Sequence, residues 1–566
     1  MPIREFSEGF PRKKIAFYKE MPAEPDLERF KEREFECKLY TEKDLQNPEL
    51  VVQLDAVIFS QKPEKRNALL PMLNKSIPML LNNDVRVYIR IAPDPNETTA
   101  ARNLVIDALL TSNFPLANLQ PEEWARIPDG SREREASNLA PYVYIFDATA
   151  NWASVAHTVC DHPAGNPPNK KLEIDRYDIS RLRKIDPDNL EEHLLLLQRA
   201  FFNCDKLKLQ PLDGGLSGAP VFKAYASGVT EEWPCLYFVK LGPRKKIVNE
   251  YDNYTGRGRA LQALDNVPFH LSPRLSLDRC NLGSSRGILV GDFVEGAEPI
   301  GDCAPSGRAS HAIANLFGKT LGIWHKQAKK TSDSTLAQYL EEKWLGEMGQ
   351  EIEPPPKRAE IVKQLGGIPL VKPLREIFNR CAHGSVLLGP AHGDLHAANV
   401  LVRGSDAIII DFEKMTGPFP TLYDPASLES GLLVAGFVRD DRSSRKPKVL
   451  LESILPLYAF DVLKNFVIPY HHPADPSSWF YDCIAQIRTA TRHAELTSGQ
   501  YALVLALCLI RKGCNPHLLK PKVYENLRAI SFILGQRILM EIEQHTHQFD
   551  QQDSHQRGPS WFNDPS

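Results

Sequence analysis

The stretch Pro390-Ala-His392-Gly-Asp394-Leu-His396-Ala-Ala-Asn399-Val-Leu-Val402, followed by Ala407-Ile-Ile-Ile-Asp411-Phe-Glu413, decides the reading of this chain. An Asp and an Asn five residues apart are followed, twelve residues later, by an Asp at the end of an apolar run. Phosphoryl transfer from a nucleotide gives each of these groups a task. An acceptor hydroxyl needs a carboxylate to orient it and take its proton, and the polyphosphate needs a divalent cation to offset charge. Magnesium takes oxygen ligands and few of them from protein, commonly a carboxylate and an amide or carbonyl oxygen. Asp394 fits the base, and Asn399 and Asp411 fit the metal ligands. Asn399 to Val402 and Ala407 to Ile410 are expected to form a short hairpin that presents both ligands together.

A loop of the form HGDLHxxN followed by a DFE triplet resembles the aminoglycoside phosphotransferase and choline kinase superfamily, which has the protein-kinase-like fold. Protein kinases proper carry H-R-D and D-F-G there, so the resemblance lies on the small-molecule side. It implies that His392 and His396 shape the loop and that Asp424 braces it from below. It also implies three features upstream. A glycine-rich hairpin over the phosphates is matched by Asp213-Gly214-Gly215-Leu216-Ser217-Gly218, where glycines let backbone N–H groups approach a phosphate. A strand lysine is matched by Lys240 at the end of Leu236-Tyr-Phe-Val-Lys240. A helix glutamate is matched by Glu250 in an expected helix from Lys246 to Tyr254, preferred over Asp252 as the partner a buried ammonium requires. By the same resemblance the run Gly287 to Gly296 is the hinge, with the backbone of Asp292 to Val294 pairing with adenine. ATP and Mg2+ are the implied cofactors. The resemblance covers about 340 of 566 residues.

The first 180 or so residues fall outside it and alternate strand with helix. Val51 to Phe59, Val85 to Ile91 and Tyr142 to Phe146 read as strands. An apolar stripe through Leu69, Leu73, Ile77 and Leu80 reads as a helix, and a second helix is expected near Thr98 to Leu110. That alternation implies a parallel sheet, in an order that resembles a receiver-like domain with Ser60 where a phosphoacceptor Asp would stand. His162 to Asn169 reads as a loop or linker. One amphipathic helix is expected through Ala309, Ile313, Phe317, Leu321 and Trp324, and another through Val523, Leu527, Ile530, Leu534 and Ile538. Gly318-Lys319-Thr320 lies on the first of these and lacks the glycine a P-loop needs at position 313.

The expected organisation is an α/β domain (1–180), the two lobes of a kinase-like domain (185–295 and 296–548, the second mainly helical), and a disordered tail (549–566). Lys+Arg 68 against Asp+Glu 71 gives a net charge of −3, against a nucleic-acid-binding role. Ten cysteines without a CxxC pair argue against a zinc site and for reduced thiols in a cytoplasmic chain. The longest apolar run, Tyr501 to Ile510, stops at Arg511-Lys512, short of a membrane span. His471-His472 reads as a solvated loop. The function expected is ATP- and Mg-dependent phosphorylation of a small-molecule hydroxyl, with Asp394 as base. The alternative is a nucleotide-binding pseudokinase or signalling module whose N-terminal domain binds a partner protein. The acceptor is not legible.

Overall fold

The computed structural model describes residues 14–32, 35–51, 53–60, 70–82, 85–91, 143–147, 151–161, 169, 171–212, 220–228, 234–254, 263–268, 270–282, 286–331, 335–346, 349–440, 446–516 and 523–556. The chain divides into two compact units: Met1–Tyr251 with Arg274–Val294, and Asp252–Pro273 with Glu295–Ser566.

The first unit holds two sheets. Strands β1 (Lys14–Tyr18), β2 (Glu36–Tyr40), β3 (Ala56–Ser60), β4 (Arg86–Ile91) and β5 (Val143–Asp147) form a parallel sheet in the order β2-β1-β3-β4-β5. That order is the one of flavodoxin-like doubly wound sheets. Its central strand β3, Ala-Val-Ile-Phe-Ser, is buried along its whole length, as a strand covered on both faces requires, and Ile15, Phe17, Ile58, Tyr88 and Phe146 pack in one core with Leu27 and Phe30. The edge strand β2, Glu-Cys-Lys-Leu-Tyr, is mostly exposed. The structure shortens the expected strand over 51–59. Pro48–Val51 is a helical turn, opened by the Asn47 side chain accepting from the Glu49 N–H at 3.0 Å, and the strand begins at Ala56. Asp55, just before it, is fully buried against Arg86. The expected helix at Thr98 to Leu110 lies outside the described residues, as do residues 162–168.

The second sheet has the order β10-β11-β9-β8-β7-β6, from β6 (Glu173–Ile174), β7 (Lys206–Pro211), β8 (Val221–Ser227), β9 (Cys235–Pro243), β10 (Asn281–Leu282) and β11 (Arg286–Asp292). Strands β7 to β11 pair antiparallel. Alternate residues of β7 and β8, among them Leu207, Leu209, Phe222 and Ala224, face a core closed by Leu182 of helix Arg176–Ile185, by Leu196 and Leu197 of helix Leu190–Ala200, and by Phe201 just after it.

The second unit is mainly helical. It carries two small sheets: β12 (Glu298–Pro299) with the hairpin β15 (Val400–Arg403) and β16 (Asp406–Ile409), and β13 (Lys329–Lys330) with β14 (Leu387–Ala391) and β17 (Thr416–Pro420). The helix expected through 309–324 is broken into Ala309–Asn315 and Gly322–Lys326 by a π-turn over Leu316–Thr320, so Gly318-Lys319-Thr320 stays helical. Helices Tyr423–Arg439, Ser478–Thr491, Gln500–Cys514 and Val523–Gln556 build the core. The last of these continues to Gln556, into the first part of the stretch expected as a disordered tail; 557–566 lie outside the described residues. Among the described residues no helix is long and apolar enough to cross a membrane. Nine cysteines are free there.

Candidate functional site

In the second unit, β14 ends at Ala391 and the chain turns through His392-Gly393-Asp394 before entering β15. Asp424, buried at the start of helix Tyr423–Arg439, fixes that turn. Its Oδ2 accepts the His392 N–H at 2.6 Å and its Oδ1 accepts the Gly393 N–H at 3.0 Å. Burial raises the Asp424 pKa from its usual value, against the pull of His392 and the two N–H groups. Gly393 has φ +77°, and a Cβ there would collide with the Lys414 carbonyl oxygen, so the residue before Asp394 has no room for a side chain. Gly431 makes a second close approach. An added Cβ would lie 3.0 Å from the Ala397 nitrogen, which is how the helix comes directly under the loop.

The hairpin forms over the expected residues, with Val400 opposite Ile409 and Arg403 opposite Asp406. Ile410 then joins the two halves of the motif. Its N–H donates to the Asn399 carbonyl at 3.0 Å, and its own carbonyl accepts from His392 Nε2 at 2.9 Å. A carbonyl can only accept, so the His392 proton sits on Nε2, and His392 is wholly buried as a brace. Asp411 follows at φ +66°, a left-handed conformation that costs a non-glycine residue energy and clusters at functional sites. Asn399 is 5% exposed, and its Nδ2 donates to the Asp394 carbonyl at 3.0 Å. The amide oxygen is therefore the end left for a cation.

The Asp394 side chain is 51% exposed, with His396 Nε2 3.9 Å from its Oδ2. His396 Nδ1 accepts the Ala398 N–H at 3.2 Å, which places its proton on Nε2. Burial lowers its pKa to about 4, so the ring is neutral at neutral pH and shapes the loop. Among the described residues no group of three His, Cys, Asp or Glu is placed to hold a metal. A magnesium ion on a nucleotide does not require one. A single carboxylate and an amide oxygen, as in Asp411 and Asn399, fit an ion whose remaining ligands are phosphate and water.

In the first unit, Lys240 lies within central strand β9, opposite Leu289 on one side and Val221 on the other, and the strand runs on to Pro243 rather than ending at the lysine. Its Nζ donates to Glu250 Oε2 at 2.7 Å. The two are 4% and 2% exposed, a pairing that spares each the cost of a lone buried charge. The helix carrying Glu250 begins at Arg244, two residues before the expected start. Gly214, Gly215, Ser217 and Gly218 lie outside the described residues. Asp292 ends β11, and its N–H donates to the Arg274 carbonyl at 2.9 Å; Val294 is the last residue of the unit.

Sequence reasoning did not assign Lys343, Phe419, Tyr423, Arg511 or Lys512, which gather near Asp394. Arg511-Lys512 had a signal, as the charged stop to an apolar run; Lys343 stands some fifty residues before the motif and had none. The His471-His472 pair, read as a solvated loop, has Asp482 3.5 Å from His471 Nε2.

A family model described as Ternary complex associated domain 9 matches residues 362–502, a span that contains Asp394, Asn399, Asp411 and Asp424. No curated protein sequence matches the chain. Solved structures that match include small-molecule kinases and phosphotransferases. Amicoumacin kinase hAmiN, in complex with AMP-PNP, Ca2+ and Ami, is 14% identical with a TM-score of 0.29, covering 60% of this chain and 88% of that one. A choline/ethanolamine kinase family protein from Mesorhizobium loti is 18% identical with a TM-score of 0.23, covering 53% and 92%. A thermostable mutant of aminoglycoside phosphotransferase APH(4)-Ia, with ADP and hygromycin B, is 11% identical with a TM-score of 0.31, covering 59% and 93%.

Proposed function

We propose that this protein is an ATP- and magnesium-dependent phosphotransferase of protein-kinase-like fold that phosphorylates a hydroxyl of a small molecule. The observation that carries the reading is the clamp at Ile410, bonded on one side to Asn399 and on the other to His392. It ties the proposed metal-ligand pair to the loop that presents Asp394. A structural hairpin needs neither an aspartate at φ +66° nor a buried carboxylate spent on two backbone N–H groups.

In this reading the acceptor hydroxyl hydrogen-bonds to Asp394. Its oxygen attacks the γ-phosphorus, its proton passes to the Asp394 carboxylate, and the β–γ bridging oxygen leaves with the electron pair as ADP. His392 and Asp424 keep Asp394 in place, and His396 stays neutral beside it. Lys240, oriented by Glu250, takes the α- and β-phosphates, and the backbone of Asp292 to Val294 takes the adenine edge. Bound to Asn399 and Asp411, Mg2+ would offset phosphate charge.

Measured turnover with an accepted substrate tests the assignments. Asp394→Asn should lose about 10²- to 10⁴-fold in kcat while MgATP affinity stays near that of the unmodified chain. Turnover unchanged in that variant would refute Asp394 as the base.

A further inference from the structure

Around Asp394 the second unit gathers positive charge that no carboxylate among the described residues pairs with directly. Lys343, in the turn Glu341–Trp344, places its ammonium over the rings of Tyr423 (4.8 Å) and Phe419 (5.2 Å), which themselves pack edge to face at 5.1 Å. Tyr423 directly precedes Asp424, the brace of the Asp394 turn. Arg511, near the end of helix Gln500–Cys514, donates through Nη1 to the Lys343 carbonyl, and Lys512, the next residue of that helix, lies close enough to Asp394 to feel its charge. Among the described residues, none of the three cations has a carboxylate within ion-pairing distance. All three are partly buried. The nearby acids are Asp394, left mostly to solvent, and Asp424, already bonded to two N–H groups.

Like charges held together and half-desolvated destabilise a fold unless a ligand compensates them. Buried ion pairs elsewhere in the unit, such as Glu429 with Arg488 and Glu525 with Arg358, show that this chain neutralises cations where structure alone is at stake. We infer that Lys343, Arg511 and Lys512 form the anion-recognising part of the acceptor site, so that the hydroxyl presented to Asp394 belongs to a molecule bearing a carboxylate or phosphate group. The inference rests on the phosphotransferase reading and deepens it. Cationic acceptors would be repelled by the same three side chains. The ammonium and guanidinium groups suit phosphate and carboxylate oxygens, and the Tyr423 and Phe419 rings supply an apolar wall beneath Lys343.

The experiment is equilibrium binding by the full chain, without nucleotide, of glycerol 3-phosphate and inorganic phosphate, with glycerol as neutral probe and choline and kanamycin as cationic ones. The anions should bind and the cations should not. Lys343→Met and Lys512→Met should each weaken anion binding tenfold or more, and Lys343→Arg should restore most of it. Thermal unfolding of each variant establishes that it is folded. MgATP affinity, measured separately, should stay within threefold in these variants. Binding of the cationic probes but not the anions would overturn the inference, as would anion affinity unchanged in both Met variants. A parallel loss of MgATP affinity would overturn it too, by assigning the cations to the nucleotide's terminal phosphate. A chain that binds the anions but no MgATP would defeat the phosphotransferase reading and leave the anion site standing.

Discussion

Asp411 and Lys343 show what a residue's type reveals in sequence and what it hides. The aspartate was legible because an Asp closing an apolar strand, twelve residues after an Asn, answers a chemical demand. Its left-handed backbone was not legible, since nothing local to Ile410-Asp411-Phe412 forces it; the clamp on Ile410 from His392 and Asn399 does. Lys343 was invisible because its setting comes from Tyr423 and from Arg511, which is 168 positions away. Burial and then the neighbouring Arg511 lower its pKa to about 8, against the pull of Asp394, Cys508 and Asp424, with Tyr423 and Phe419 packed beneath it. The folded state thus disfavours the charged form, a penalty present below pH 8 and relieved as pH rises toward the ordinary lysine value. For binding the sign is opposite: the ammonium that attracts an anion is lost above pH 8. Affinity for sulfate, whose charge is constant in this range, should fall several-fold between pH 7 and pH 9, and the fall should be blunted in Lys343→Arg. A profile identical in the two proteins would remove Lys343 from the anion site.

Elements were legible in proportion to how far their own side chains decide them. The hairpin Val400–Arg403 with Asp406–Ile409 read correctly, because apolar runs bounded by turn residues have few alternatives, whereas the strand carrying Lys240 was found but ended three residues too soon. Strands Lys14–Tyr18 and Glu36–Tyr40 went unread because both are short and carry charges, and only pairing with Ala56–Ser60 and with each other makes them strands. The π-turn in 316–320 was hidden for a similar reason: the apolar spacing is helical on both sides, and the wider turn does not disturb it. The packing of helices Tyr423–Arg439, Ser478–Thr491 and Gln500–Cys514 depends on a buried charge that no periodicity announces. Glu429 accepts from Arg488 Nη2 and from the Tyr501 hydroxyl, both at 2.7 Å, and Arg488 also donates to the Leu457 carbonyl at 2.8 Å. Glu429→Ala would leave the Arg488 guanidinium buried without its counter-charge, at a cost of about 3–5 kcal/mol. Urea unfolding should report that loss, since helix Tyr423–Arg439 also carries Asp424. A loss under about 1 kcal/mol would mean that the network does not hold these helices together.

Across the whole molecule, the sequence disclosed the classes of structure better than their limits. The N-terminal parallel sheet was foreseen from alternation alone, while its order, β2-β1-β3-β4-β5, depends on two strands that were not read. At its carboxyl edge Ser60 donates to Glu20 at 2.7 Å and accepts from Arg90 at 3.2 Å. The mainly helical character of the second unit was equally plain, since its apolar stripes are long and regular. The account of function depends on one claim: Asn399 and Asp411 hold the cation of a bound nucleotide. Calorimetric titration of ATP with and without Mg2+ tests it most directly. The unmodified chain should bind ATP at least tenfold more tightly with the metal, Asp411→Ala should lose that gain, and Asp394→Asn should keep it. Equal ATP affinity with and without magnesium in the unmodified chain, or a magnesium effect that survives Asp411→Ala, would contradict the claim.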